Sequence, residues 1–168
     1  MSFVALRLAG VVRESIVDGP GIRFVVFVQG CPHHCDGCHN AGSWDFTAGY
    51  DCDIDQIIDA IDKNPLLKGV TFSGGEPFEQ STALLELAKQ IKHRHLNLII
   101  YTGYLFDDLL KRENDDVQNL IKQADYIVDG KFEKSLMSHE LRFRGSSNQR
   151  IIDVAKSLES GAVIETEF

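Results

Sequence analysis

The sequence predicts an α/β fold in which buried strands alternate with amphipathic helices. Short apolar runs recur along the 168 residues, and most are followed by a segment with helical periodicity. Strand and helix alternate at least four times, which is the pattern of βα units on a parallel sheet with right-handed crossovers. The polar and glycine-rich segments follow the predicted strands, at the end where parallel folds place their sites.

The first predicted strands are joined by a tight turn. Residues 4–12 form a mixed apolar segment that predicts a short opening strand, and residues 24–30 form an apolar run that predicts a buried one. Gly19, Pro20 and Gly21 lie between them. Glycine admits positive φ and proline restricts φ, so this tripeptide predicts a turn.

The rest of the chain continues the alternation. Four isoleucines recur at helical spacing between Asp53, a plausible N-cap, and Asn64-Pro65, which ends the helix. Further strands are predicted at residues 69–73, 97–101, 126–130 and 151–154. Further helices are predicted at residues 79–94, 105–110, 117–121 and 157–161.

Composition limits the classes of protein. The length predicts a single domain over residues 1–168. No apolar run reaches the roughly 20 residues of a membrane span, and residues 1–7 do not resemble a signal peptide. We therefore expect a cytoplasmic protein with reduced thiols and no membrane partner. The formal charge of −8 argues against a nucleic-acid partner.

Three cysteines follow the predicted strand at residues 24–30. Cys31, Cys35 and Cys38 have the spacing C-x3-C-x2-C, and thiolates that converge bind a soft metal centre. An iron–sulfur cluster with one iron open to substrate fits three ligands. The spacing also allows c-type haem attachment, a redox dithiol, or a zinc site completed by a histidine. His33, His34 and His39 are the candidates for that histidine, and Cys52 is left over.

Two further strand ends carry candidate site residues. Ser73, Gly74, Gly75 and Glu76 follow the strand at residues 69–73, and two glycines there let backbone approach a ligand. A plain strand-to-helix turn is the alternative. Asp129 and Lys131 lie two residues apart at another strand end, where they could point the same way or form a surface ion pair.

These motifs resemble the radical S-adenosylmethionine superfamily. C-x3-C-x2-C after a first strand is similar to its signature, and G-G-E-P is similar to its motif for the methionyl amino group. The resemblance implies a truncated, open (βα) partial barrel. It implies a [4Fe–4S] cluster on Cys31, Cys35 and Cys38, with S-adenosyl-L-methionine on the open iron.

The resemblance also implies which residues contact the cofactor. Residues 73–76, from Ser73 to Glu76, would hold its amino-acid end. Gly37, Cys38 and His39 would lie near the adenosine, mainly through backbone, because Gly37 stands where the superfamily pattern has an aromatic residue. Asp129 and Lys131 match a D-x-K pair that lies near the cofactor in related activases.

Within the superfamily the chain resembles the activating proteins of anaerobic (class III) ribonucleoside-triphosphate reductases. D-G-P-G-I-R, G-C-P-H-H-C-D-G-C-H-N, S-G-G-E-P, Y-T-G-Y, V-D-G-K-F and R-G-S-S-N-Q occur in this order between residues 16 and 149. The resemblance implies an enzyme that cleaves S-adenosylmethionine reductively to methionine and a 5′-deoxyadenosyl radical, and so generates a glycyl radical on the reductase.

Partners and alternatives follow from the same resemblance. We expect the reductase as protein substrate and a one-electron donor such as a flavodoxin. The first alternative is an activase of another glycyl radical enzyme, such as pyruvate formate-lyase. The second is a non-catalytic zinc-binding or adaptor module.

Overall fold

A computed structural model describes residues 5–168 of the chain. The strands are β1 Ala5–Ser15, β2 Arg23–Val28, β3 Tyr50–Asp53, β4 Gly69–Gly74, β5 Asn97–Tyr101, β6 Tyr126–Asp129 and β7 Arg150–Asp153. The helices are α1 Ile54–Asp62, α2 Ser81–His93, α3 Phe106–Leu110, α4 Asp115–Gln123 and α5 Val154–Ser160. The strands form one sheet of seven in the order β3-β1-β2-β4-β5-β6-β7.

The centre of the sheet is parallel. β2 pairs with β4, β4 with β5 and β5 with β6, all in parallel register. Their carboxyl ends therefore lie at one edge, where Val28 is paired with Gly74 and Tyr101 with Val128. The first and last strands of the sheet are different strands, β3 and β7, so the sheet is open. This arrangement confirms the predicted α/β fold and open partial barrel.

Both edges of the sheet are antiparallel, which the prediction of uniform βα units did not include. β1 pairs antiparallel with β2 and β3, and β7 pairs antiparallel with β6. The link from β1 to β2 is too short for a parallel crossover, which needs a dozen residues or more. β3 was not predicted because it has only four residues and two of them are aspartates, which are depleted in strands. The opening strand β1 extends to Ser15, three residues beyond the predicted end at residue 12. Val4, where the prediction begins, lies outside the described residues.

One face of the sheet is covered by helices and forms the main core. The four isoleucines of α1 are buried there, and the Asp53 side chain accepts a hydrogen bond from the Asp55 N–H, which confirms the predicted N-cap. Alternate residues of the parallel strands, such as Val26, Phe72 and Ile100, contribute to this core. Their neighbours therefore face the opposite side of the sheet. None of the helices in residues 5–168 combines the length and apolarity needed to cross a membrane.

A buried arginine closes the amino-terminal end of this opposite face. Arg23 has no exposed surface, and its guanidinium donates to Thr71 Oγ1 and Asn97 Oδ1, each at 2.8 Å. It also donates to the Pro20 carbonyl at 3.1 Å. Burial lowers the pKa of Arg23 to about 10. The arginine thus ties the G-P-G turn to β4 and β5.

Candidate active site

A cavity of about 680 Å³ lies on the face of the sheet opposite the helices. Phe27 of β2, Ser73 of β4 and Tyr101 of β5 line it from the strands. All three cysteines of the C-x3-C-x2-C motif line it from the loop after β2. This volume lies within the roughly 300–1,000 Å³ of small-molecule and cofactor sites.

The cysteine loop is held against the segment that follows it. The Gly30 N–H donates to the Ser43 carbonyl at 2.7 Å, and the Cys31 N–H donates to the Trp44 carbonyl at 3.1 Å. The His34 ring stacks on Trp44 with ring centroids 4.7 Å apart. Backbone and stacking contacts therefore hold the cysteine loop against Ser43 and Trp44.

Backbone N–H groups favour the thiolate form of two of the cysteines. Burial raises the pKa of the Cys31 thiol, and the backbone N–H groups of His33 and His34 oppose this by stabilising the thiolate. Burial also raises the pKa of the Cys35 thiol, whereas the Phe132 N–H and the nearby charge of Lys131 lower it. The thiolate is the form that ligates iron. These donors would support the anionic sulfurs of a cluster.

Three of the thiols fit the ligand set of an iron–sulfur cluster. All four cysteines are free thiols, and Cys31, Cys35 and Cys38 share the cavity. Cysteine thiolates are the usual ligands of iron–sulfur clusters.

The glycine loop after β4 is joined directly to the cysteine loop. The Gly75 N–H donates to the Val28 carbonyl and the Glu76 N–H donates to the Gly30 carbonyl, each at 2.8 Å. A Cβ atom on Gly75 would lie 2.3 Å from the Gly30 oxygen. Gly74 has φ of +95°, a conformation that favours glycine. The glycine pair therefore serves loop-to-loop packing, in addition to lining the cavity.

Glu76 is the last residue of the glycine loop, residues 73–76, and has no exposed surface. Its carboxylate accepts hydrogen bonds from Thr102 Oγ1 at 2.8 and 2.9 Å, from the Gly103 N–H at 2.8 Å and from the Phe78 N–H at 3.0 Å. His33 Nε2 lies 2.7 Å from the same carboxylate. Ser73, Gly74 and Gly75 line the cavity, whereas Glu76 contacts the loops behind it. A direct contact of Glu76 with the cofactor stays a prediction.

The partners of Glu76 are absent from the sequence prediction, in which His33 is only a candidate zinc ligand and Thr102 is only part of the Y-T-G-Y motif. Their shared position at the carboxyl ends of parallel strands was a usable signal, since such ends meet at one edge.

An aromatic ring from another segment lies beside Gly37. Cys38 and His39 line the cavity together with Phe132. Gly37 has φ of +74°, and a Cβ atom on it would lie 3.4 Å from the Phe132 ring and 3.3 Å from Lys134. The His39 ring lies 5.5 Å from the Phe132 ring. Phe132 of the V-D-G-K-F motif therefore supplies an aromatic surface where residue 37 has none.

Asp129 and Lys131 do not share an orientation. Asp129, the last residue of β6, is fully buried and accepts hydrogen bonds from Arg150 and from the Phe106 N–H. Gly130 has φ of +96°, so the two-residue strand period is broken before Lys131. The Lys131 side chain is exposed, and its charge acts on Cys35. A cofactor contact remains a prediction for each residue.

Comparisons with known proteins agree with this geometry. Residues 17–152 match the family described as the 4Fe-4S single cluster domain. The chain is 33% identical over 141 residues to the anaerobic ribonucleoside-triphosphate reductase-activating protein of Enterobacteria phage T4, covering 80% of this chain and 86% of the relative. It is 37% identical over 145 residues to the protein of that name from Pasteurella multocida, covering 81% and 90%. The Escherichia coli K12 protein of that name is 34% identical over 142 residues, with 80% and 90% covered.

A solved structure also aligns in part. The crystal structure of QueE from Escherichia coli matches with a TM-score of 0.47 and 17% sequence identity, over 59% of this chain and 53% of that one. The chain therefore spans about half the length of that structure.

The family match confirms the expectation of a [4Fe–4S] cluster and of an enzyme of the radical S-adenosylmethionine superfamily. The cluster-domain family covers most of the described chain, and the relatives are aligned over nearly their whole length. The chain belongs to the family of anaerobic ribonucleoside-triphosphate reductase-activating proteins.

Proposed function

We propose that this chain activates an anaerobic ribonucleoside-triphosphate reductase by generating a glycyl radical on it. The observation that supports this most strongly is that the three cysteines and the glycine loop open onto one cavity. When bound, the cluster would supply the electron for reductive cleavage of S-adenosylmethionine to methionine and a 5′-deoxyadenosyl radical, which would remove a hydrogen atom from a glycine of the reductase. The relatives that share this name support the choice of partner.

The residues of the chain would hold and orient these groups. Cys31, Cys35 and Cys38 would hold the cluster, and the backbone of residues 73–75 would hold the amino-acid end of S-adenosylmethionine. Phe132 and the residues beside Gly37 would contact the adenosine. The largely apolar cavity wall, which includes Phe27 and Phe143, limits access of water to the reacting groups.

The protein substrate needs a path to the cavity. The cavity extends from the cysteines to Val12 and Val17 beside the β1–β2 turn, and to Leu141 and Arg144 on the far side. A loop of the reductase enters between these two walls, because the open sheet leaves this side without a closing strand. The formal charge of −8 argues against a nucleic-acid partner. A flavodoxin-type protein serves as the electron donor.

The test is transfer of the radical to the partner. Anaerobic protein loaded with its cluster, dithionite, S-adenosylmethionine and the reductase should give a glycyl radical signal in electron paramagnetic resonance, with methionine formed. Pyruvate formate-lyase replaces the reductase in the control. A radical on pyruvate formate-lyase but not on the reductase contradicts the proposed partner, and absence of methionine contradicts the proposed chemistry.

A further inference from the structure

His33 lies between two of the cluster cysteines but faces the glycine loop. Its side chain is 6% exposed, and its Nε2 atom lies 2.7 Å from Glu76 Oε1. An ionised carboxylate only accepts hydrogen bonds, so His33 Nε2 is the donor. A buried charge needs such partners, because an unpaired one is strongly destabilising.

The ring of His33 is enclosed by the loop after β5. A Cβ atom on Gly103 would lie 2.4 Å from His33 Cδ2, so the ring occupies the space that a side chain at residue 103 would need. The Tyr104 ring packs edge-on against it, with centroids 4.5 Å apart. The ring can therefore move little while these contacts hold.

Three loops meet at this one contact. His33 belongs to the cysteine loop, Glu76 to the glycine loop, and Thr102 to the loop after β5. The backbone of His33 also lowers the pKa of the Cys31 thiol, against the effect of burial. A shift of the Glu76 carboxylate is thus transmitted to the loop that carries the first cysteine.

We propose that His33 is a positioning residue that couples the cluster loop to the S-adenosylmethionine loop through Glu76. The inference rests on the proposed function, because it needs that cofactor at the glycine loop. His33 does not touch the reacting atoms in this role. It sets the position of residues 73–75 relative to the cysteines, and hence how the cofactor meets the cluster.

His34 provides a matched control in the same loop. It is the next residue, it is exposed, and its ring stacks on Trp44 instead of contacting the glycine loop. His33→Phe keeps a ring against Gly103 and Tyr104 but removes the donor. His33→Gln keeps an N–H donor at a similar reach.

The experiment measures S-adenosylmethionine affinity by calorimetry on cluster-loaded protein, with iron and sulfide analysis of each variant. We expect His33→Phe to retain the cluster and to bind the cofactor about tenfold to a hundredfold more weakly, since hydrogen bonds to charged groups are the stronger ones. His33→Gln should recover most of the affinity, and His34→Phe should bind like wild type. The change in the electron paramagnetic resonance spectrum of the reduced cluster on adding the cofactor should be smaller in His33→Phe than in His34→Phe.

Wild-type affinity in His33→Phe, or an equal loss in His34→Phe, overturns the inference. Loss of the cluster in both His33→Phe and His33→Gln also overturns it, because the ring would then serve only to fold the cysteine loop. Failure of the wild-type protein to bind S-adenosylmethionine contradicts the proposed function itself. The two failures are therefore distinguishable.

Discussion

The carboxylate of Asp129 is paired with the guanidinium of Arg150 across the antiparallel edge of the sheet. The oxygens of Asp129 lie 3.0 Å from Nε and 2.5 Å from Nη2 of Arg150, and the two residues are register partners in β6 and β7. Asp129 has no exposed surface, whereas the Arg150 side chain is 24% exposed. The same carboxylate accepts the Phe106 N–H at the start of α3. The pair thus joins the last strand to the parallel centre.

Breaking this pair should destabilise the fold. Arg150→Met leaves a buried carboxylate without its cation, so we expect the free energy of unfolding to fall by about 3 kcal/mol, the lower end of the range for breaking a buried pair. Urea unfolding monitored by circular dichroism measures it. Arg94→Met is the control, because Arg94 also makes two short bonds to a carboxylate, that of Asp62, at a more exposed position. Arg94→Met should lower the free energy of unfolding by about 1 kcal/mol or less. Equal costs for the two variants would contradict this assignment.

Cluster loading should depend on the three cavity cysteines and not on Cys52. Anaerobic wild-type protein should hold about four iron and four sulfide per chain. Changing Cys31, Cys35 or Cys38 to alanine should each prevent this loading, whereas Cys52→Ala should leave it intact, because Cys52 lies on β3 and outside the cavity lining. Iron and sulfide analysis decides it. A protein that holds only zinc, or that loses iron on changing Cys52, contradicts the cluster assignment.

Gly75 should be far less tolerant of a side chain than Gly42. A Cβ atom on Gly75 would lie 2.3 Å from the Gly30 oxygen, whereas one on Gly42 meets nothing within 4 Å. Gly75→Ala must separate the glycine loop from the cysteine loop, so we expect loss of more than about 1 kcal/mol of stability and weaker cofactor binding. Gly42→Ala should change stability by about 0.5 kcal/mol at most.

Denaturant unfolding and calorimetry with S-adenosylmethionine test both glycine variants. Wild-type stability and affinity in Gly75→Ala would mean that the loop relaxes without consequence. Equal losses in Gly42→Ala would assign the effect to glycine replacement in general and not to the contact with Gly30.

Lys131 should affect the cluster through its charge. It is exposed, and its charge favours the Cys35 thiolate. Lys131→Ala removes a positive charge near the cluster, which disfavours the reduced state. We expect the reduction potential to fall by at most about 40 mV, since an exposed charge contributes up to about 1 kcal/mol and a one-electron couple moves about 59 mV per tenfold change in equilibrium constant.

A redox titration followed by electron paramagnetic resonance measures this potential. Lys156→Ala is the control, because the exposed Lys156 lies on α5, which begins at the opposite end of the sheet from the carboxyl end of β6. Its potential should equal that of wild type. A rise in potential in Lys131→Ala would contradict the electrostatic effect.

Local patterns were sufficient for the parallel centre and for the cysteines. The apolar runs at β2, β4, β5 and β6 are buried on both faces, which is why each reads as a strand without its neighbours. C-x3-C-x2-C places three thiols in one short loop, and all three line the cavity. Gly74 and Gly75 also line the cavity, and their contact with the cofactor stays a prediction.

The edges of the sheet could not be predicted in the same way. β3 consists of the four residues Tyr50–Asp53, two of them aspartates, which are depleted in strands. It becomes a strand because β1 offers unpaired backbone groups. The antiparallel direction of β7 likewise depends on pairing with β6, which no local pattern records.

The sequence by itself determined the chemistry of the chain, since cysteine spacing, glycine pairs and strand exits are properties of short segments. Only the tertiary structure decided the partner of each charged group. Glu76 bonds to His33, which is 43 residues away, and Asp129 bonds to Arg150, which is 21 residues away. Both carboxylates have no exposed surface, so their partners were chosen by which strands and loops the sheet brings together. Such contacts arise when the chain folds, because burial removes water as the competing partner.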